Sequence, residues 1–365
     1  MTTCTLEIDP VSLTLDLSVG HIAELKIRDG QRMLTPLHRA PWADDPFAVF
    51  PESTPPNVRR LSGDFFCAPF GRNDVEDAPS HGWPANSAWD HLETIRQDDR
   101  LTAVFRLQKP VMGAIVEKRI TLIAGHPFVY QEHCFIGGTG SISAAHHVMV
   151  HMAEGGDLAV SPKLGARTPP EALEPDPARG RSRLAYPAES KDLTAFPLAD
   201  GGTADLTSYP VAERHEDFLT LVEAPGQALA WSVVSRKAEQ DRVIVLKRPD
   251  ILPVTMLWMS NGGRDYAPWS GRHTGVLGIE DARASPLGHA DSSRDNSFTR
   301  RGVATAFELH DGTTIRIRQI VGACTAEIAD SKVAELYEEK DGKLAVRLKG
   351  GAVRRITYDS AFLTK

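Results

Sequence analysis

The sequence predicts an all-β protein, a large twisted antiparallel β-sandwich, and three observations carry that expectation. Short runs with period-two alternation recur along the chain, turn dipeptides separate several of them, and helical periodicity is confined to one short stretch. So many strands in one open sheet would curl or split, so they are expected to form two large sheets packed face to face. No internal repeat of fixed period is present, which disfavours a propeller or a solenoid.

In chain order, the alternating runs are SLTLDLS (12–18), LTAVFRLQ (101–108), AIVEKRITLIAG (114–125) and FVYQEHCFIG (128–137), followed by ALAWSVVSR (228–236), VIVLKR (243–248) and PVTMLWMS (253–260). Two hairpins are expected near the C-terminus. ATAFELHDGTTIRIRQI would turn at Asp311-Gly312 and KLAVRLKGGAVRRITY at Gly350-Gly351, dipeptides that accept the positive φ of a tight turn. SKVAELYEEKDGK (331–343) reads as helix, with Val333, Leu336 and Tyr337 at helical spacing and Gly342 ending it. Between Val160 and Val211 lie Pro162, Pro169, Pro170, Pro175, Pro177, Pro187, Pro197 and Pro210, with few apolar runs. The strand pattern then resumes unchanged. Residues 1–365 are therefore expected to form a single β domain with a loop excursion at about 160–211, which either covers a site or is a flexible insertion.

Composition excludes several classes. Hydrophobic residues make up 41% and charged residues 24% of 365, the profile of an ordinary globular protein. Lys+Arg 41 against Asp+Glu 48 gives a net charge of -7, which repels a phosphate backbone, so nucleic acid is not an expected partner. Cys4, Cys67, Cys134 and Cys324 lie far apart with no CxxC pair, which fits a reducing compartment. The opening MTTCTLEIDP has neither a basic nor an apolar leader segment, and no apolar run reaches membrane-span length. No membrane association is expected, and a cytoplasmic location is.

Three stretches hold the chemistry. GDFFCAPFGRNDVEDAPSHGWPANSAW (63–89) combines Trp83 and Trp89, flat faces for the C–H side of a sugar, with Arg72, Asn73, His81 and Asn86 as partners for hydroxyls. The plainer alternative is a loop packed on its own tryptophans. SISAAHHVMVHMA (141–153) holds His146, His147 and His151. Val148, Val150 and Met152 alternate with them, which argues strand, and on a strand four residues span roughly 13 Å, too far for His147 and His151 to share one metal ion. No metal site is therefore expected. His147, Met149 and His151 would share one face, leaving His147 as an acid or base projecting from the sheet, or as a satisfied core histidine. LWMSNGGRDYAPWSGRHTGVLGIEDA (257–282) offers Tyr266 and Trp269 as aromatic platforms, Arg264 and Arg272 as cations, and Glu280 directly after Val276, Leu277 and Ile279. A carboxylate ending an apolar strand is partly desolvated and suits general-base work. Alternatively, Glu280 and Asp281 form salt bridges with Arg264 or Arg272.

In order, these stretches resemble the aldose 1-epimerase (galactose mutarotase-like) superfamily, most closely its hexose-6-phosphate mutarotase-like branch. GDFFCAPFG (63–71) looks like that branch's segment ending in Cys-Phe-Pro-x-Phe-Gly, and HGWPANSAW (81–89) resembles its His-Gly-Phe-Ala-Arg-Asn-x-x-Trp signature. HHVMVHM and GIEDA sit where the family carries its strand histidine and its late glutamate, and GHPFVYQEHCF covers another family strand, so the resemblance spans roughly residues 60–282. It implies a large sandwich that interconverts the anomers of a monosaccharide or sugar derivative without a cofactor. Glu280 would be the base and His147 the acid, with His81 and Arg72 binding hydroxyls near the ring oxygen. Three positions depart from the pattern: Ala85 stands in place of the motif's arginine, Val148 and Met149 follow the strand histidine where the family has Pro-Tyr, and Asp281 follows the glutamate in place of proline. Non-catalytic sugar binders and lyases share the fold, so the alternatives are a carbohydrate-binding protein without catalysis and an epimerase-like enzyme acting on a sugar phosphate or sugar acid.

Overall fold

The computed structural model describes residues 2–74, 76–326 and 331–364. Two large antiparallel sheets dominate. The first runs Thr3–Ile8, Val11–Asp16, His21–Asp29, Asp64–Cys67, Ala144–His151, Val276–Arg283, Val254–Asn261, His215–Glu223, Lys163–Arg167 and Glu189–Ser190, with Arg32–Leu34 beside His21–Asp29. The second runs Ser208–Tyr209, Gly156–Val160, Ala230–Arg236, Asp241–Lys247, Thr314–Thr325, Phe128–Ile136, Ile115–Ile123, Arg100–Leu107 and Trp89–Gln97. Each of the seven alternating runs falls on one of these strands.

Strand pleating sorts the side chains into layers. Between the sheets lies one apolar core, to which the first sheet contributes Val148, Val150, Leu257, Leu277 and Ile279 and the second Phe105, Val129, Phe135, Val245 and Val321. A second cluster covers the opposite face of the first sheet: Phe65, Cys67, Met149, Met256, Trp258 and Trp269 with Trp42. A third lies outside the second sheet, beneath a small sheet of Val333–Glu338, Lys343–Leu348 and Val353–Thr357. The four cysteines are free thiols.

Three expectations are corrected. Residues 333–338 form a strand, not a helix. A register shift between Val333 and Glu335 inserts one extra residue, so Val333 and Leu336 reach the same buried face three positions apart and imitate helical spacing. Asp311-Gly312 does turn the chain, with the Thr313 N–H donating to the His310 carbonyl at 3.2 Å. The flanking strands do not form a hairpin: Phe307–Leu309 pairs with Gly140–Ile142, whereas Thr314–Thr325 pairs with Phe128–Ile136 and Asp241–Lys247. The Gly350-Gly351 hairpin forms as expected. The 160–211 excursion also carries regular structure, since Lys163–Arg167 extends the first sheet by pairing with His215–Glu223.

A buried charge cluster ties the sheets together behind the central strands. Lys247 Nζ lies 3.0 Å from both Glu223 and Asp281 and donates to Thr255 Oγ1 at 2.7 Å; Lys163 Nζ reaches Glu223 at 2.7 Å, and Gln319 Nε2 donates to Asp281 at 2.9 Å. Removing one member of such a cluster strands its partners without water. Lys247→Met should lower unfolding free energy by about 3–5 kcal/mol. The control Lys26→Met, which breaks an exposed pair with Glu24, should change it by less than about 1 kcal/mol. Urea denaturation of the two variants checks this.

Candidate active site

His147 and Glu280 stand directly opposite each other on the neighbouring antiparallel strands Ala144–His151 and Val276–Arg283. Their side chains leave the same face, and His147 Nε2 lies 3.1 Å from Glu280 Oε1. Both are nearly buried, at 4% and 2% exposure. Among the described residues neither Glu280 oxygen accepts a hydrogen bond, the His147 contact being one of distance. Phe65, on the next strand, stacks on the His147 ring at 4.4 Å, and Trp258 meets it edge-on at 5.7 Å from the other side. Gly278 makes room for this packing: a Cβ there would sit 3.0 Å from Trp258 Cβ and 3.3 Å from Glu280 Oε1.

The same pleat sends their neighbours the other way. His146 points between the sheets against Phe66 and His133, and Asp281 joins the Lys247 cluster. Glu280 therefore faces His147, and neither Arg264 nor Arg272 bridges Glu280 or Asp281. His151 shares the His147 face but lies farther along the strand, 5.7 Å from the His38 ring and outside the cavity lining. Among the described residues no group of three or more His, Cys, Asp or Glu side chains is arranged to hold a metal ion.

His81 reaches the pair from the loop after Asp64–Cys67. It adopts left-handed backbone, φ 69°, just before the short helix Gly82–Asn86. Gly82 is required there, because at φ 70° a Cβ would fall 1.9 Å from the Ala68 carbonyl oxygen. The His81 ring lies 5.6 Å from the His147 ring, and its Nδ1 lies 3.2 Å from Cys67 Sγ. Burial, with the nearby His147 and His21 charges, lowers the His81 pKa to about 3, so the ring is neutral. Asn86, read from the sequence as a ligand for hydroxyls, holds the helix: its Nδ2 donates to the Ser80 and Gly82 carbonyls and its Oδ1 accepts the Asn57 N–H.

The pair lies in a cavity of about 950 Å³. Arg72 stands exposed among the residues lining it, and Trp269 lines it too. Trp83, Asn73 and Arg272 do not line it. Trp83 packs on the inter-sheet core with Lys109 over its ring, because the helix turns its indole away from the pair. Asn73 Oδ1 accepts the Glu76 N–H within its own turn. Arg272 faces outward near Asp45 and over Trp42. The cation of the inner wall is Arg264, which lies over Trp269 at 4.4 Å and is matched by Glu174 at 3.3 Å and Glu216 at 3.4 Å. Glu216 also accepts hydrogen bonds from Trp258 Nε1 and, at 2.8 Å, Ser260 Oγ. Burial pushes the Glu216 carboxyl pKa up against these interactions. Pro169, Pro170 and Leu173 from the excursion form a further wall.

Sequence reasoning missed Phe65, Trp258, Glu216 and the Pro169–Leu173 wall. Trp258 had a usable signal, because Val254, Met256 and Trp258 alternate on the face that receives Glu280 from the adjacent strand.

No family model and no curated protein matches the sequence. Solved structures do. A candidate aldose 1-epimerase from Escherichia coli K12 is 13% identical over 89% of this chain and 99% of its own, with a TM-score of 0.58. A candidate mutarotase from Salmonella typhimurium is 14% identical over 88% and 90%, TM-score 0.55, and a galactose mutarotase related enzyme from Lactobacillus acidophilus is 10% identical over 90% and 99%, TM-score 0.53. At these identities the likeness shows the fold, which is galactose mutarotase-like.

The histidines around and behind the site set the acid limit of stability. Burial lowers the pKa of His21, His38 and His146 to about 3 and holds His133 and His273 well below the usual range. Unfolded, each takes up a proton below about pH 6.5, so each removes up to about 1.4 kcal/mol of stability per pH unit as pH falls below that value. Asp64 opposes them, because burial raises its pKa to about 6 and the folded state then holds its proton between about pH 6 and 4. His81 adds a sixth such histidine, and the Glu216 and Asp241 carboxyls, also raised by burial, join Asp64, so six histidines outweigh three carboxyls. The melting temperature should fall from pH 7 to pH 5, and calorimetry at pH 5 should show net uptake of several protons on unfolding.

Proposed function

We propose that the protein is an aldose 1-epimerase-like isomerase that interconverts the anomers of a sugar. The observation that carries this reading is the His147–Glu280 contact in a buried corner of a ligand-sized cavity. Mutarotation needs one group to remove the anomeric hydroxyl proton and another to protonate the ring oxygen, both within hydrogen-bond reach of a single hemiacetal. Glu280 takes the hydroxyl proton on a carboxylate oxygen. His147 gives a proton from Nε2 to the ring oxygen as the C1–O5 bond breaks and the C1–O1 bond becomes a carbonyl. The C1–C2 bond rotates, and reclosure returns both protons and gives the other anomer. The chemistry requires no cofactor.

Binding falls to the walls. Trp258 and Trp269 offer aromatic faces to the C–H surface of the ring, while His81, Arg264 and Arg72 face its oxygens. Because two carboxylates already match Arg264, the inner cavity suits an uncharged aldose better than a sugar phosphate. A sugar-binding protein without catalysis would keep these walls but would need no acid beside a base.

Polarimetry over a panel of aldoses, with exchange NMR at anomeric equilibrium, tests the assignment. Glu280→Gln keeps the shape and one acceptor oxygen but cannot take the proton, so it should lose about 10²- to 10⁴-fold in rate while still binding sugar. His147→Asn should lower the same rate, and both variants should melt cooperatively. Variants as fast as the wild type would refute the acid–base roles. A wild-type protein that binds sugar and accelerates nothing would establish the binding-module reading.

A further inference from the structure

Cys67 is buried on the cavity-facing side of its strand, two residues from Phe65, and no step of the mechanism uses it. Its Sγ lies 3.2 Å from His81 Nδ1, within hydrogen-bond reach for sulfur. We propose that Cys67 is a positioning residue whose thiol donates to His81 Nδ1, fixing His81 as the tautomer that presents Nε2–H to bound substrate. The inference extends the proposed function by assigning His81 a fixed donor role beside the proton-transferring pair.

Only two neutral arrangements fit the contact. Either the thiol donates to a bare Nδ1 and Nε2 carries the proton, or Nδ1–H donates to sulfur and Nε2 is bare. A thiol sulfur is a weak acceptor and an imidazole nitrogen a good one, which favours S–H···N. A thiolate would reverse the preference. Burial first, then the charges of Glu280 and Asp64, raises the Cys67 pKa well above its usual value and keeps the proton on sulfur. Cys67 is the only side chain hydrogen-bonded to Nδ1 among the described residues, and Nε2 has no hydrogen-bond partner among them.

The ring has little freedom to escape this choice. The His81 N–H donates to the Gly71 carbonyl at 2.7 Å, its carbonyl accepts the Ala68 N–H at 3.3 Å, and Phe65 and Phe70 meet its ring edge-on at 5.9 and 5.6 Å. A neutral ring locked as Nε2–H can donate to a sugar oxygen but cannot take a proton from a hydroxyl. Proton transfer is thereby left to His147 and Glu280, and His81 supplies orientation.

The test uses the full chain labelled with ¹⁵N-histidine. Long-range ¹H–¹⁵N correlation spectra report the tautomer, with the His81 signals identified by their loss in His81→Gln. The wild type and Cys67→Ser, whose hydroxyl can still donate, should both show Nε2–H. Cys67→Ala should shift His81 toward Nδ1–H and raise the aldose KM by roughly tenfold, the scale of one hydrogen bond, with kcat changed less. An Nδ1–H tautomer in the wild type, or a Cys67→Ala protein with unchanged tautomer and KM, would overturn the proposal. If Cys67→Ala does not fold, the wild-type and Cys67→Ser spectra decide alone. The spectra need no turnover, so an inactive wild-type protein would refute the isomerase reading while the tautomer assignment stood or fell on its own.

Discussion

In an antiparallel sheet the side chains of one strand leave alternate faces, so register alone decides which pair of neighbours can meet. Here the register that sets His147 opposite Glu280 also sets His146 opposite Asp281. The first pair opens to the cavity and the second faces the partner sheet. A slip of one residue in both strands would exchange them, turning His147 and Glu280 between the sheets and Asp281 away from Lys247. The candidate site and the ionic tie between sheets are thus two faces of the same register, and the apolar residues alternating with them, Val148 and Ile279 inward against Met149 and Ala282 outward, hold it in place.

That arrangement explains how a second carboxylate can follow Glu280 without placing another charge beside the proposed base. Asp281 is neutralised by Lys247 and hydrogen-bonded by Thr255 and Gln319 on the far side of the sheet. Buried charges of this kind add little net stability, because desolvation offsets most of their attraction. They do penalise any arrangement that separates them. The cluster joins Val276–Arg283, Val254–Asn261 and His215–Glu223 of the first sheet to Asp241–Lys247 and Thr314–Thr325 of the second, so it opposes sliding of one sheet over the other.

The strands were legible because alternation is local, and the partners were not because pairing is long-range. Asp311-Gly312 announces a turn but cannot say that Phe307–Leu309 and Thr314–Thr325 leave for different sheets. A bulge disguised 333–338 because one inserted residue changes the apparent period from two to three. At the candidate site, Glu280 and the histidines were conspicuous as polar residues in apolar strands, but His146, His147 and His151 stood out alike, and only the pairing register singles out His147. The loop residues were not legible. Composition put Trp83, Asn73 and Arg272 near the chemistry, yet which way a loop side chain points depends on packing that sequence spacing does not encode. Arg264 and Arg272 lie eight positions apart in one loop, and only the carboxylates brought from elsewhere in the chain, Glu174 and Glu216, draw Arg264 to the cavity side.

Those carboxylates also show how an excursion rich in proline becomes a wall. Asp217, facing away from the cavity, accepts the backbone N–H groups of Arg183 and Leu184 and the hydroxyl of Tyr186, docking the middle of the excursion on the strand His215–Glu223. Glu174 ties its first half to Arg264 and Tyr266, with Pro169, Pro170 and Leu173 between as lining. Prolines suit this role because their fixed φ lowers the entropy lost when a long loop is held in one shape. The His147–Glu280 pair therefore sits on strands whose register admits almost no variation, while one wall of the cavity, Pro169, Pro170 and Leu173, sits on a loop held by a few polar anchors. Changes in that loop can reshape recognition without disturbing the pair, which is one physical reason a shared fold does not specify a shared sugar.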